Sequence, residues 1–153
     1  MLSIKYKVPP VLSFALCLFA QIVIVRPQSD FSIEFSFRDI FAFVLLVSSL
    51  GLVFYSARLF KRNKTTVNPM LPENASQLVV TGVYAYSRNP MYLAMLLVLG
   101  AFSVWSGNWF SAALLPVFVG WMNFSQIPYE EQALEKKFGE EYVNYKKRVR
   151  RWI

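Results

Sequence analysis

Four blocks of apolar residues dominate the sequence and limit what the chain can fold into. They cover residues 10–25, 40–60, 91–105 and 109–127. About 20 helical residues cross a hydrocarbon core of roughly 30 Å, and the second block, interrupted only by Arg58, is the clearest candidate. Hydrophobic residues make up 56% of the chain, more than a soluble domain of this size needs. We therefore predict an all-α, polytopic membrane protein with about four transmembrane helices.

Short polar segments divide this architecture. The turn Ser106-Gly107-Asn108 is too short for a folded loop, so residues 91–127 are predicted to form an antiparallel helical hairpin. No small-x-small cleavage site precedes Arg26, which favours an uncleaved first span over a signal peptide. The whole chain, 1–153, is then one membrane-embedded domain. Its parts are two spans (1–60), a cytoplasmic loop (61–90), the hairpin (91–127) and a C-terminal helix (128–153).

The distribution of charge predicts an orientation. The N-terminal tail, the loop 61–90 and the C-terminal tail each carry net positive charge, whereas the segment between the first two blocks is net negative. By the positive-inside rule, both termini and the loop are predicted to be cytoplasmic, and we expect a prokaryotic inner membrane. Anionic lipid headgroups account for the basic residues, so the expected partner is the lipid bilayer and not nucleic acid.

The chain contains no histidine, which restricts the chemistry available to it. A catalytic triad built on histidine and histidine-containing zinc sites are excluded, and we predict no metal. Cys17 is the single cysteine and lies within the first apolar block, where it is expected to be a small apolar residue. An enzyme built from this sequence must use carboxylates, arginine, tyrosine, amides and a cofactor with its own reactivity.

The third apolar block begins with a recognisable helix start. Pro90 suits the first turn of a helix, and Asn89 stands at the N-cap position, where its amide oxygen can accept a backbone N–H. These two residues could mark a helix start and nothing more. Alternatively, the helix N-terminus beside Arg88, with Tyr84 and Tyr92 nearby, could bind a carboxylate or a phosphate.

Two acidic residues follow the fourth block. Glu130 and Glu131 lie at the level of the membrane surface, where ionised carboxylates need partners. They could simply begin a helix, whose dipole favours negative charge there, or one could hold a cation or the hydroxyls of a ligand. The apolar spacing beyond them predicts an amphipathic helix, on the membrane surface or packed on the loop, with an interruption at Gly139.

Two blocks of sequence resemble a known family. Residues 81–92 read TGVYAYSRNPMY, and residues 138–149, which follow Glu130 and Glu131, read FGEEYVNYKKRV. Together they resemble the isoprenylcysteine carboxyl methyltransferase family, including its prokaryotic relatives and the similar phospholipid methyltransferases. The resemblance covers residues 77–149 and implies an all-helical membrane methyltransferase that binds S-adenosylmethionine on the cytoplasmic side.

Site residues follow from the resemblance position by position. It implies cofactor binding by Gln77, Leu78, Val79, Val80, Tyr84, Asn89, Pro90, Met91, Tyr92 and Glu130. It implies catalytic roles for Arg88, Tyr92 and Glu131 and a substrate-binding role for Gln126. Glu131 is a candidate acceptor for the proton of an amine substrate.

The chain departs from the family pattern at three positions. Asn89 replaces a histidine, Gln126 replaces the arginine expected to hold a substrate carboxylate, and Ala94 replaces a glycine. We expect cofactor binding to survive, because asparagine also donates and accepts hydrogen bonds. The resemblance implies transfer of a methyl group to a lipophilic or thiol/carboxylate acceptor, of which isoprenylcysteine-like compounds are one kind. A non-catalytic membrane scaffold or a lipid-binding protein that keeps the fold is the alternative.

Overall fold

The computed structural model describes residues 8–25, 36–65 and 74–153, and all regular structure in these ranges is helical. The α-helices are α1 (Pro10–Ile24), α2 (Phe37–Arg62), α3 (Pro90–Ser106), α4 (Trp109–Trp121), α5 (Ile127–Phe138) and α6 (Glu140–Arg148). A 3-10 turn covers Gly82–Ala85, and a π-helical turn, Met122–Gln126, joins α4 to α5. The predicted all-α class is confirmed for the described part of the chain.

Two helices among the described residues are long and apolar enough to cross a membrane. They are α2 and the continuous helix Trp109–Phe138, whereas α1, with 15 residues, and α3, with 17, are shorter apolar helices. The surface of α2 suits lipid, since large apolar side chains such as Phe37, Phe43 and Phe54 are exposed. The prediction of four spans therefore stays a prediction for α1 and α3.

Close contact between α2 and α3 depends on small residues. Ala94 is fully buried, and the hydroxyl of Ser49 donates to its carbonyl oxygen at 2.9 Å. Helices in a membrane associate through close packing and interhelical hydrogen bonds, because lipid is as apolar as the side chains. Alanine at position 94 is therefore small enough for close packing of α2 against α3, although the resembled family pattern has a glycine there.

A buried amide on α1 joins this helix to α3 and α4. Gln21 of α1 is fully buried, and its Nε2 lies 3.2 Å from the Leu99 carbonyl oxygen and 2.9 Å from Ser103 Oγ, both on α3. The same atom lies 3.1 Å from the Ser111 carbonyl oxygen of α4. Polar groups at membrane depth need internal partners, so this contact fixes α1 against the hairpin. Beside it lies an apolar core that includes Leu99 and Phe118, and these two residues have no exposed surface.

The predicted hairpin of α3 and α4 is present. Gly107 ends α3 with a φ of 62°, a left-handed conformation that favours glycine, and Asn108 accepts backbone N–H bonds from Phe110 and Ser111. The Arg38 side chain, near the start of α2, lies against Gly107. The turn and the beginning of α2 therefore share one end of the helical bundle.

The chain changes its helical geometry close to the predicted boundary after Ile127, where a π-helical turn leads into α5, but the helix does not stop there and continues to Phe138. Pro128 lacks an N–H, and in a regular α-helix its ring would clash with the carbonyl of the fourth residue before it, Phe124. The π-helical turn Met122–Gln126 resolves this clash, with the Ile127 N–H donating to the Met122 carbonyl. One additional residue in a turn rotates the following helix by about 100°, which sets the directions of the α5 side chains.

The C-terminal helix is interrupted at Gly139, as expected, where φ is 53°. Beyond it, α6 ends at Arg148, so the helix predicted over 128–153 does not reach the C-terminus. The apolar side chains of Tyr142, Tyr145 and Val149 are buried against the loop residues Leu78 and Val80. Of the two predicted positions for this segment, the structure has the one packed on the loop, and contact with a membrane surface stays a prediction.

Candidate functional site

A cavity of about 220 Å³ lies at the end of the bundle opposite Gly107. This is below the roughly 300 to 1,000 Å³ of typical small-molecule sites, so a large ligand would require it to widen. The lining comes from both ends of the chain and is mixed in character. It comprises Pro10, Val11, Phe60, Ala75, Gln77, Leu78, Val79, Tyr84, Arg88, Asn89, Pro90, Met91, Tyr92, Met95, Glu130, Glu131, Leu134, Tyr142 and Tyr145.

Packing of the 3-10 turn against α2 fixes one wall of the cavity. Gly82 has a φ of 63°, and a Cβ atom on it would lie 2.9 Å from Leu59 Cδ1. The Tyr84 ring packs edge-on against Phe60 with centroids 5.3 Å apart, and the Tyr145 hydroxyl donates to the Tyr84 carbonyl at 2.7 Å. Burial raises the pKa of both Tyr84 and Tyr145 above the ordinary phenol value, so both are neutral hydroxyls at physiological pH.

Glu130 carries the distinctive carboxylate of the site. Its Oε1 accepts hydrogen bonds from the Tyr92 hydroxyl and, at 2.6 Å, from Gln126 Nε2. No lysine or arginine among the described residues forms an ion pair with Glu130. The site therefore holds a half-buried carboxylate that neutral donors orient and that no cation of the described chain compensates, which suits a cationic or hydroxyl-bearing ligand.

Two arginines form ion pairs with the carboxylate of Glu131, the residue after Glu130. Arg88 Nη2 lies 3.0 Å from Oε1, and Arg151 makes a bidentate contact, with Nε 2.9 Å from Oε1 and Nη2 2.7 Å from Oε2. Opposite charges stabilise the ionised form of a carboxyl group. A carboxylate with both oxygens engaged is a poor proton acceptor, which disfavours the predicted role of Glu131 as the base for an amine.

Two nitrogen atoms of the Arg88 guanidinium are buried without a hydrogen-bond partner among the described residues. The side chain is only 10% exposed, and its Nε and Nη1 have no hydrogen-bond partner among the described residues. Burial raises the pKa of the adjacent Tyr142 phenol, an effect that the Arg88 guanidinium partly offsets. Unsatisfied N–H groups on a buried guanidinium are costly, and a ligand carboxylate that reached Nε or Nη1 would satisfy one of them with a charge-assisted hydrogen bond.

Asn89 does not cap α3 with its side chain, which corrects the predicted N-cap hydrogen bond. Its Nδ2 instead donates to the Arg151 carbonyl at 3.0 Å. The Ser87 hydroxyl donates to the same carbonyl at 3.3 Å, and the Arg88 N–H donates to the Arg150 carbonyl at 3.0 Å. The C-terminal backbone therefore orients the Asn89 side chain, and the residues around Pro90 do not reveal that this backbone lies nearby.

The structure brings together most of the residues predicted for the site. Two stand apart from the cavity lining: Val80 packs with the buried tyrosines of α6, and Gln126 acts through its bond to Glu130. Sequence analysis missed Leu134, Tyr142, Tyr145 and Arg151. The helical spacing of the first three was visible as an amphipathic face, but nothing in the spacing of Arg151 indicated a contact with Glu131.

The described residues contain no group of three or more histidine, cysteine, aspartate or glutamate side chains that could hold a metal ion. The groups that could hold an organic cofactor are the Glu130 carboxylate, the free Arg88 N–H groups and the tyrosine rings. An amino-acid zwitterion with an aromatic base matches these groups in charge and shape.

An apolar helical bundle with two helices long enough to cross a membrane and a cavity of mixed lining at one end has the features of a helical membrane protein with a candidate small-molecule site. The sequence pattern of the phospholipid methyltransferase family matches residues 37–141, more than half of the chain. The chain belongs to this family, and the predicted resemblance is confirmed.

Two relatives extend the comparison. An uncharacterised protein of Haemophilus influenzae is 46% identical over 63 residues, which are 41% of this chain and 100% of that protein. The protein-S-isoprenylcysteine O-methyltransferase B of Arabidopsis thaliana is 40% identical over 78 residues, 50% of this chain and 39% of that enzyme. No solved structure matches the chain. Family and relatives place the chain among methyltransferases.

Proposed function

We propose that this protein is an S-adenosylmethionine-dependent methyltransferase whose cofactor occupies the cavity beside Glu130. The observation that carries the proposal is that an acidic and a basic side chain line one cavity and that both can form further polar contacts. Glu130 has no cation as a partner among the described residues, and two nitrogen atoms of Arg88, Nε and Nη1, have no acceptor there. The ammonium and the carboxylate of the methionine part would satisfy both, while Tyr84 and Tyr142 supply aromatic surface for the base or the sulfonium.

S-adenosylmethionine, when bound, supplies an activated methyl group, so the protein needs to contribute mainly alignment. Tyr92 and Gln126 hold the Glu130 carboxylate in a single orientation. Glu131 holds Arg88, and α6 closes the site through the Tyr145 contact with the Tyr84 carbonyl. Methyl transfer to a thiolate or a carboxylate requires no general base, which suits a chain without histidine.

The apolar side of the cavity supports a lipophilic acceptor. Val11 of α1, which is 61% exposed, lines the cavity together with Pro10 and Met95. An acceptor with an apolar tail could enter between α1 and α3 and keep that tail in the bilayer. A carboxylate acceptor has the weakest support, because Gln126 replaces the family arginine and donates to Glu130. A thiol acceptor is favoured, because its thiolate needs no general base, and isoprenylcysteine-like compounds stay in the proposal as test substrates.

The proposal includes a location. Arg58, Lys61 and Arg62 lie at the end of α2 nearest the cavity, and the positive-inside rule assigns that end to the cytoplasm. Both termini and the reaction then face the cytoplasm, in a multi-pass protein of a prokaryotic inner membrane.

Calorimetric titration of S-adenosylmethionine and S-adenosylhomocysteine into the detergent-purified protein tests the proposal. We expect saturable binding by the wild type and at least a tenfold loss of affinity in Glu130→Ala. Glu135→Ala is the matched control, since Glu135 lies on the same helix, is exposed and pairs only with Lys146 at 2.8 Å.

The outcomes separate the two classes of function. Binding that is lost in Glu130→Ala and kept in Glu135→Ala supports the enzyme and leaves the acceptor to be found among lipid amines, thiols and prenylated cysteines. A wild type that is folded by circular dichroism yet binds neither ligand contradicts the proposal and favours the non-catalytic scaffold.

A further inference from the structure

The C-terminal residues 149–152 form a strap that crosses the candidate site. The backbone carbonyls of Arg150 and Arg151 accept hydrogen bonds from residues 87–89, at the start of α3. At the far end of the strap, Trp152 Nε1 donates to Asn123 Oδ1 of the π-helical turn at 3.0 Å. Val149 is buried at its near end. The strap therefore joins the loop before α3 to the helix that carries Glu130 and Glu131.

Arg151 contributes the only side chain of the strap that contacts Glu131. Its bidentate contact involves both carboxylate oxygens, so Arg88 shares only Oε1, through Nη2 at 3.0 Å. A carboxylate normally forms its best contact with guanidinium as a parallel pair of bonds. In the absence of Arg151, Glu131 could form that pair with Arg88 and use N–H groups that now have no partner.

We infer that Arg151 is a positioning residue. It keeps Glu131 from forming a bidentate pair with Arg88 through Nη2 and a neighbouring nitrogen, and so leaves the unpartnered Arg88 nitrogens, Nε and Nη1, to the carboxylate of the bound ligand. This inference rests on the proposed function and deepens it, because it assigns recognition of the ligand carboxylate to Arg88 and control of that recognition to the strap.

The inference predicts a selective effect of Arg151→Gln on ligand affinity. We expect about tenfold weaker binding of S-adenosylmethionine, because Arg88 turns toward Glu131. Decarboxylated S-adenosylmethionine, which lacks the carboxylate and keeps the amine and the nucleoside, should bind the variant and the wild type within twofold of each other. Arg151→Lys, which keeps a charge on Glu131 without the fork, should give an intermediate loss for S-adenosylmethionine alone.

Arg150→Gln is the matched control. It makes the same change of charge one residue earlier, where the exposed side chain forms no ion pair with a described residue and only the carbonyl contacts the loop. Both ligands should bind this variant as they bind the wild type. Melting temperatures measured on all variants identify any general loss of folding.

Each outcome has one meaning. A loss confined to the carboxylate-bearing ligand supports the positioning role. Equal losses for both ligands, or no loss for either, overturn it and leave the proposed function intact, since the wild type still binds. A folded wild type that binds neither ligand overturns both the proposed function and the role of Arg151.

Discussion

Tyr92 and Gln126 both donate to the same oxygen of Glu130, so one hydroxyl can be removed while the carboxylate keeps a donor. In Tyr92→Phe, the loss of a hydrogen bond to a charged group should cost about 1.5 to 3 kcal/mol of stability. S-adenosylhomocysteine should also bind several times more weakly, because Glu130 is no longer held in one orientation. Thermal unfolding in detergent and calorimetry measure the two effects.

Tyr86→Phe is the control for that experiment, because the Tyr86 side chain is 79% exposed and does not line the cavity. It should match the wild type in melting temperature and in affinity. Equal behaviour of Tyr92→Phe and Tyr86→Phe would show that the Tyr92 hydroxyl has no role in orienting Glu130.

Asn89 shows how a departure from a family pattern can be accommodated. Its amide donates to the Arg151 carbonyl, and an imidazole N–H is also a hydrogen-bond donor. The substitution therefore replaces one donor group by another, at a position where the partner is backbone. Gln126 differs, because an amide cannot replace the charge of an arginine, and this difference bears on the acceptor.

At the scale of elements, the 3-10 turn depends on a glycine. In Gly82→Ala the new Cβ would meet Leu59 Cδ1 at 2.9 Å and Tyr55 Cε1 at 3.0 Å, and the backbone φ of 63° is unfavourable for alanine. We expect a loss of about 1 to 3 kcal/mol of stability. Ligand affinity should fall as well, because the turn carries Tyr84 against the cavity. Thermal unfolding and calorimetry again provide the measurements.

Gly51→Ala is the corresponding control on α2. Apart from the neighbouring backbone of α2, no atom of the described residues lies within 4 Å of its Cβ position, and alanine favours helix more than glycine does. This variant should be as stable as the wild type or more stable by up to about 1 kcal/mol. If Gly82→Ala proved equally harmless, the wall of the cavity would not depend on the packing of the turn against α2.

The elements that could be predicted from sequence are those with local signals. The lengths of the apolar blocks predicted α2 and the hairpin, and the short polar turn with Gly107 and Asn108 marked its tip. The π-helical turn before Pro128 was not predicted, because a proline can end a helix or be accommodated within one. The strap could not be predicted for a different reason. Its partners are the hydrogen-bond donors of residues 87–89, the Glu131 carboxylate and the Asn123 amide oxygen, all distant in sequence, and no periodicity records such contacts.

At the scale of the whole molecule, the asymmetry between the two ends of the bundle predicts an orientation. The hairpin tip at Gly107 and the start of α2 form one end, and the cavity with α6 forms the other. In a Cys17→Ala background, cysteines at Ser106 and at the exposed Glu140 report on the two ends. On intact spheroplasts, a membrane-impermeant maleimide should label Ser106→Cys, and it should label Glu140→Cys only after permeabilisation.

The result of this labelling bears on the chemistry as well as on the topology. A cavity that faces the cytoplasm has access to S-adenosylmethionine, which is made there, and the basic end of α2 at Arg58 and Lys61 would contact anionic headgroups. The reverse pattern would place the cavity on the far side of the membrane and contradict the proposed reaction. Labelling of both positions without permeabilisation would mean that the bundle does not span the membrane between its two ends.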